Sequence, residues 1–368
     1  MEALVTANSS FWRGKRVLVT GHTGFKGSWL TLWLLSMGAE VWGYALPAEP
    51  SHSLLTDLQF DQASLLNNWN WGDFQQQLAD LCDLNALQSW VAEAQPQVVL
   101  HLAAQALVRR SYLDPLGTWA TNVQGSLNLL EALKPLQHPC SVVMVTTDKV
   151  YANQEWDYGY REEDRLGGHD PYSASKAAAE LAIASWRASF CGTAAHQTPH
   201  LTIATARAGN VIGGGDWAED RIMPDAMRSL AFGESIPVRR PDATRPWQHV
   251  LEPLGGYLVL AEKLSRGEAE ASAFNFGPTL EANRSVRELV EAALAYWPGS
   301  WLDLTDPTAP HEAGRLHLQI DKAYHQLHWQ PRWPFATTVE RTVVWYRAVH
   351  EGASPMECCL QDLEAYKA

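Results

Sequence analysis

Cysteine is scarce: five positions (Cys82, Cys140, Cys191, Cys358, Cys359) in 368 residues, with neither paired metal-ligand spacing nor a disulfide framework for so long a chain. Reduced thiols in a cytoplasmic setting and no metal site are the expectation. Positive charge is also short, 28 Lys and Arg against 41 Asp and Glu, a formal net charge of -13. That balance argues against a nucleic-acid partner or an anionic membrane surface. An acidic chain can still hold a diphosphate, provided that a few arginines gather in one place. Long apolar runs are missing: none reaches the roughly 20 residues of a membrane span. Met1 to Ser10 has no basic stretch leading into an apolar core, so no secretory signal is read there. There is no internal repeat and no low-complexity tract.

The 46% hydrophobic content is enough for a large core, expected as two lobes. Most of the 17 tryptophans are assigned to packing. Short, nearly continuous apolar strands are read at Arg16–Thr20, Val41–Tyr44, Gln97–Ala103, Ser141–Thr147 and Leu201–Ala206. Helical patterns lie between them at Trp29–Met37, Leu84–Ala94, Thr118–Leu133 and Pro171–Ser189. This alternation predicts an α/β fold, a doubly wound parallel sheet covered on both faces, with ligands beyond the carboxyl ends of the strands. Pro47–Gln77 reads as an irregular loop without an assigned role. After Arg207 the pattern loosens into a smaller, loop-rich lobe, and helical periodicity returns at Leu251–Lys263, Val286–Tyr296 and Ala336–His350. The expected division is residues 1–206, joined by about 246–268, as the sheet domain. Residues 207–245 and 269–335 form a discontinuous substrate lobe, and 336–368 a C-terminal helix and tail.

Three clusters carry chemistry. Gly21-His22-Thr23-Gly24-Phe25-Lys26-Gly27 joins the first strand to the first helix, in G-x-x-G-x-x-G spacing. Such a turn lets backbone N–H groups approach a pyrophosphate at the helix N-terminus. Tyr172 and Lys176 are four residues apart, hence on one helical face. Asp170-Pro171 ahead of them reads as an N-cap followed by proline at the first helical position. A free phenol with a pKa near ~10 is a poor base at neutral pH. A nearby ammonium, the helix N-terminus and a positive nicotinamide would favour its phenolate. Thr147-Asp148-Lys149 adds a hydroxyl, a carboxylic acid and an amine where a buried strand ends. Asp80-Leu81 reads equally as an adenine grip or as a surface loop.

The glycine turn, His101-Leu102-Ala103-Ala104-Gln105, Thr121-Asn122-Val123-x-Gly125-Ser126 and Tyr172-x-x-x-Lys176 together resemble the extended short-chain dehydrogenase/reductases, over roughly Lys15 to Tyr346. The resemblance implies a Rossmann-type domain plus a smaller nucleotide-sugar domain. It also implies NAD held by Gly21, Thr23, Gly24, Phe25, Lys26, Gly27, Asp80, Leu81, Leu102, Ala103, Ala104, Gln105, Tyr172 and Lys176. Within that superfamily, TGHTGFKGSWL, LVRRSYLDP, TTDKVY, RAGNVIGGGDW, DRIMPD and ATRPWQHVLEPLGGYL resemble the CDP-glucose 4,6-dehydratases. Relatives acting on dTDP-glucose carry Asp-Glu where Asp148-Lys149 stands, and hexose epimerases carry small residues.

The implied reaction oxidises C4 of the hexose, eliminates water across C5–C6 and returns hydride to C6. NAD is unchanged at the end. Thr147, Tyr172 and Lys176 serve the oxidation. Asp148 is the acid and Lys149 the base of the elimination, or Lys149 stays charged and stabilises the enolate. Burial and neighbouring positive charge are expected to lower the lysine toward usefulness as a base. The resemblance further implies Asn210 near the diphosphate, Arg221 and Pro224 over the nucleotide, Val238 and Arg239 beside the base, and Arg245 on the pyrophosphate. Asn122 is expected to support helix packing beneath the nicotinamide. No acidic residue follows the second strand (Tyr44-Ala45-Leu46) and no arginine pair for a 2′-phosphate, which favours NAD over NADP. Val150-Tyr151-Ala152-Asn153 departs from the V-Y-G ending of relatives. CDP-glucose or a similar nucleotide-sugar is the expected substrate, and a homodimer or higher homo-oligomer the expected assembly. The rivals are a dehydratase for another nucleotide, a C4 epimerase and a catalytically silent NAD-binding sensor.

Overall fold

The computed structural model describes residues 7–48, 53–58, 71–194, 197–305 and 315–368. Six strands run in chain order as β1 (Arg16–Thr20), β2 (Glu40–Ala45), β3 (Phe74–Leu78), β4 (Val98–His101), β5 (Cys140–Val145) and β6 (Leu201–Ala208). A seventh, Ala273–Phe276, completes the sheet in the order seventh, β6, β5, β4, β1, β2, β3. Every neighbouring pair is parallel. The chain winds outward from β1 to β3, crosses back to β4 and winds the other way. The crevice between β1 and β4 is therefore the switch point where such sheets bind ligands.

Strand side chains sort by alternation. Val17, Val19, Leu100, Val143 and Val145 face one core with the helices Phe25–Ser36 and Leu251–Arg266. Leu18, Val99, Val142 and Met144 face the other with Leu84–Ala94 and Gly125–Leu133. Burial on both sides is why these strands read as unbroken apolar runs. Trp12, Trp29, Trp33, Trp247, Trp329 and Trp345 are buried in the first core, as packing residues.

Three sequence expectations need correction. Pro47–Gln77 is not wholly irregular, because its end enters β3, paired with β2 from Val41 opposite Phe74 to Ala45 opposite Leu78. An edge strand half open to water carries glutamines (Phe-Gln-Gln-Gln-Leu) and so lacks the apolar signal of a central one. Leu54–Leu58 in the same stretch is a short helix with both terminal leucines buried, while 49–52 and 59–70 lie outside the described residues. The Ala-Phe-Asn-Phe strand went unread because four residues carry too little periodicity. The tail after Phe335–His350 is a second helix, Pro355–Lys367, whose Tyr366 hydroxyl donates to buried Glu252 at 2.8 Å.

Beyond the sheet, Val211–Ile212 pairs with Gln248–His249, Thr244–Pro246 with Asn283–Ser285, and Ile236–Val238 with Trp301–Asp303. No helix among the described residues is long and apolar enough to cross a membrane.

Candidate active site

The glycine turn leaves β1 at Gly21, whose φ of +75° disfavours any side chain. A Cβ there would also lie 2.6 Å from the Ala103 backbone nitrogen, where β4 ends. At Gly27 a Cβ would fall 2.0 Å from the Gly21 carbonyl oxygen, so the first helical turn lies directly on the loop. Gly24 caps the helix Phe25–Ser36 without a side-chain hydrogen bond. The first-turn N–H groups, with the positive end of the helix dipole, are thus open to an anion. This cradle, which a Cβ would fill, fits the pyrophosphate of a dinucleotide, with Gly21, Thr23, Gly24, Phe25 and Gly27 around it. Gly27→Ala is expected to weaken NAD binding by about tenfold or more, by displacing that turn. Calorimetric titration of the variant with NAD measures it.

Thr23 donates its hydroxyl to the Leu46 carbonyl at 3.0 Å. Fully buried His22 sits 2.8 Å from Gln76 of β3, and burial pushes its pKa down. Asp80 is exposed just past β3; its carboxylate accepts the Cys82 N–H at 2.9 Å and its carbonyl accepts the Tyr44 hydroxyl at 2.9 Å. Leu81 is buried, and Asn128 donates to its carbonyl at 2.9 Å. Gln105 exchanges backbone hydrogen bonds with the side chain of Asn122, which also donates to Ser175 at 2.9 Å. Asn122 therefore ties the loop Leu102–Gln105 to the Tyr172 helix. It does so from a π-helical turn, Ala120–Gln124, an irregularity common at functional sites.

The helix Pro171–Phe190 starts at Asp170, whose carboxylate accepts the Ser173 N–H at 2.9 Å, with proline next. Tyr172 lies in its first turn and Lys176 one turn on, both buried. The Lys176 ammonium donates to the Val145 carbonyl at 3.1 Å, pinning the helix to the end of β5. From there the chain passes through Thr147 into a single 3₁₀ turn, Asp148–Val150. Thr147 donates to Asp148 at 3.0 Å. The Lys149 ammonium stands 5.9 Å from the Tyr172 ring centroid. A Cβ on Gly209 would lie 2.8 Å from the Asp148 carboxylate, so bare backbone closes over that group. Acid, amine, phenol and hydroxyl thus converge at one strand tip.

Burial dominates the electrostatics. It holds the Tyr172 phenol up at about 12; the Thr147 hydroxyl and Arg221 pull it down, and Asp148 pushes it up. In the protein alone burial therefore works against the phenolate, which the Thr147 hydroxyl and Arg221 favour. Burial likewise brings Lys176 down to about 8, opposed by the Glu180 carboxylate. Asp148 is raised by burial, against the pull of Lys149, Thr147, Arg245 and Lys26. A carboxyl whose proton affinity burial raises is the better placed to act as an acid. Lys26 falls to about 8 through burial, with Arg221 and Lys176 acting the same way and Asp148 against them. Its charge is thus felt at the strand tip as well as at the glycine turn. Lys149 is half-buried.

The residues expected to hold substrate divide. Arg221 interacts with Tyr172 and Lys26 while its guanidinium pairs with Asp216 at 2.8 Å, and Arg245 interacts with Asp148. Pro224 is buried in the first turn of Ile222–Ala231, and half-buried Asn210 follows β6. The side chain of Val238 is in the core, and its carbonyl accepts the Leu304 N–H at 2.7 Å. Arg239 is held by Asp220 through two 2.8 Å contacts, and Arg109 reaches the same carboxylate at 3.3 Å. Sequence reasoning missed Glu180, Arg207 and Gly209. Glu180 carries a signal, standing one helical turn beyond Lys176 on the same face.

The model of the GDP-mannose 4,6 dehydratase family matches residues 18–342. The CDP-glucose 4,6-dehydratase of Salmonella typhimurium is 43% identical over 362 residues, 98% of each chain. Among solved structures, the dTDP-glucose 4,6-dehydratase of Bacillus anthracis, in complex with NAD, superposes with a TM-score of 0.74 at 22% identity, covering 92% of this chain and 99% of that one. An epimerase from Methanothermobacter thermautotrophicus has a TM-score of 0.75 at 24% identity, covering 93% and 95%. The latter two speak to the shared fold; the family match and the Salmonella relative speak to kinship. With Tyr172, Lys176, Thr147, Asp148 and Lys149 gathered at the tip of β5, the chain belongs to the nucleotide-sugar 4,6-dehydratases, the family of the GDP-mannose 4,6 dehydratase model.

Proposed function

We propose that this chain converts CDP-glucose to CDP-4-keto-6-deoxyglucose as a hydro-lyase. The observation that carries the reading is the buried carboxyl of Asp148, raised by that burial, next to the Lys149 amine, which stands 5.9 Å from the Tyr172 ring centroid. An oxidoreductase or epimerase needs only the phenol, the lysine and the threonine. A second acid and amine are what elimination adds. Bound at the glycine turn, NAD would supply reversible hydride transfer, taking hydride from C4, which acidifies the C5 proton, and returning it to C6 once water has left. Tyr172 accepts the O4 proton, Thr147 orients that hydroxyl, and Lys176 fixes the helix and favours charge on the phenol. Lys149 receives the C5 proton or stabilises the enolate, and Asp148 protonates the departing C6 hydroxyl.

Arg221 and Arg245, already at the centre by their interactions with Tyr172 and Asp148, are assigned to the diphosphate, where a guanidinium makes paired charge-assisted bonds. The cytidine preference rests on kinship with the Salmonella enzyme and on Asp148-Lys149. A homodimer is supported by exposed Leu113, Leu116 and Leu181, apolar side chains on three helices of one region. A cytoplasmic role in deoxysugar synthesis completes the reading.

The test supplies CDP-, dTDP-, UDP- and GDP-glucose in turn to the purified protein with NAD. CDP-glucose should lose one water with no net reduced nicotinamide. Faster turnover of another nucleotide would overturn the base assignment, and no loss of water from any of them would overturn the lyase.

A further inference from the structure

Behind the active site lies a buried ion pair that the chemistry above does not use. Arg207 of β6 donates to Glu180 at 2.8 Å, with both side chains almost fully covered. Buried ion pairs seldom add net stability over apolar replacements, so their placement calls for another reason. Glu180 accepts the Thr146 hydroxyl at 2.5 Å on one oxygen and the Thr205 hydroxyl at 2.9 Å on the other. Arg207 donates to the Tyr151 hydroxyl at 3.0 Å and to the Glu162 carbonyl at 2.8 Å. The Tyr151 hydroxyl in turn donates to Asn275 of the seventh strand at 2.7 Å. Its ring lies 5.2 Å from the Arg207 guanidinium and stacks on Tyr160 at 5.1 Å.

Thr146 and Tyr151 are the residues on either side of Thr147-Asp148-Lys149-Val150. One ion pair therefore holds both ends of the segment that carries the acid and the amine, while Glu180 fixes the same helix that carries Tyr172 and Lys176. We propose that Glu180, Arg207 and Tyr151 are positioning residues for elimination, setting the Asp148-Lys149 turn against the Tyr172 helix. Charge-assisted bonds between buried groups are stiff enough for this task. A displacement of about 1 Å at reacting groups can cost on the order of 100-fold in rate. The inference rests on the dehydratase reading. Oxidation at C4 depends mainly on Tyr172 and Lys176, whose helix the Lys176 bond to the Val145 carbonyl pins separately, with Thr147 at the start of the turn orienting the hydroxyl. Loosening the turn should therefore slow elimination more than oxidation.

Tyr151→Phe keeps the stacked ring and removes only the hydroxyl; Thr146→Val does the equivalent at the other end, and Thr146→Ser restores the bond. In single turnovers with CDP-glucose, the first two variants should slow water loss about tenfold or more. The reduced-nicotinamide band should form at its native rate and then linger. KM should stay within about twofold, and Thr146→Ser should recover native behaviour. Amide exchange at Asp148–Tyr151 in the protein alone should quicken in Tyr151→Phe, with the melting temperature nearly unchanged. Equal slowing of both steps, or none, in variants of an active wild-type protein overturns this inference alone. Absence of dehydration in the wild-type protein overturns the reading beneath it as well.

Discussion

Replacing Lys149 by methionine should abolish product formation while leaving the enzyme able to oxidise. In a single turnover with CDP-glucose, the near-ultraviolet band of reduced nicotinamide should rise and persist, because the 4-keto sugar can no longer lose water. The expected loss in kcat is roughly 10²–10⁴-fold, the range for removing a positioned acid–base group. Methionine keeps the length of the side chain, and the ammonium it removes makes no hydrogen bond among the described residues, so stability should change little. The two roles open to Lys149 separate on one further measurement. If it is the base, exchange of the C5 proton with deuterated solvent stops with elimination. If it only stabilises the enolate, slow exchange survives. Turnover at the native rate would remove both.

The parts of this site that were legible in sequence are those whose geometry is local. Tyr172 and Lys176 share a face because four residues span about one turn, and Asp170-Pro171 marks where that helix begins. The glycine turn was legible because Gly21 and Gly27 occupy places where backbone meets backbone. Strands β1, β4 and β5 were visible because burial on both faces leaves no polar alternation to confuse the reading.

The remainder depends on residues distant in the chain. Gly209 matters through Asp148, 61 positions earlier (209 - 148), and Arg207 matters through Glu180 and Tyr151. Neither has a neighbour that announces it. Val238 is ambiguous for the opposite reason: a valine beside Arg239 looks equally able to line a nucleotide or to fill a core, and its side chain packs in the core. Burial of the Tyr172 ring was not legible either: it raises the phenol, while the Thr147 hydroxyl and Arg221 act against it.

Tyr172→Phe should give a loss of the same order as Lys149→Met, but of a different kind. The phenol acts at the first step, so neither product nor reduced nicotinamide should appear, and C5 should show no exchange. The expected fall is again roughly 10²–10⁴-fold. Folding should be nearly untouched. The ring stays in place, and the hydroxyl's nearby partner is Thr147, which keeps its own bond to Asp148. A neutral hydrogen bond contributes only about 1 kcal/mol.

Acidity gives this prediction a second edge. With the phenol at about 12 and Lys176 at about 8, the lysine is the first of the two to lose its proton as pH rises. Above that point its ammonium no longer favours charge on Tyr172, so the wild-type oxidation rate should level and then decline on the alkaline side. Lys176→Met should remove that limb together with most of the rate, whereas Lys149→Met should retain it in the oxidation step. An alkaline limb unchanged in Lys176→Met would assign it to another group and separate the lysine from the phenol it is held to serve.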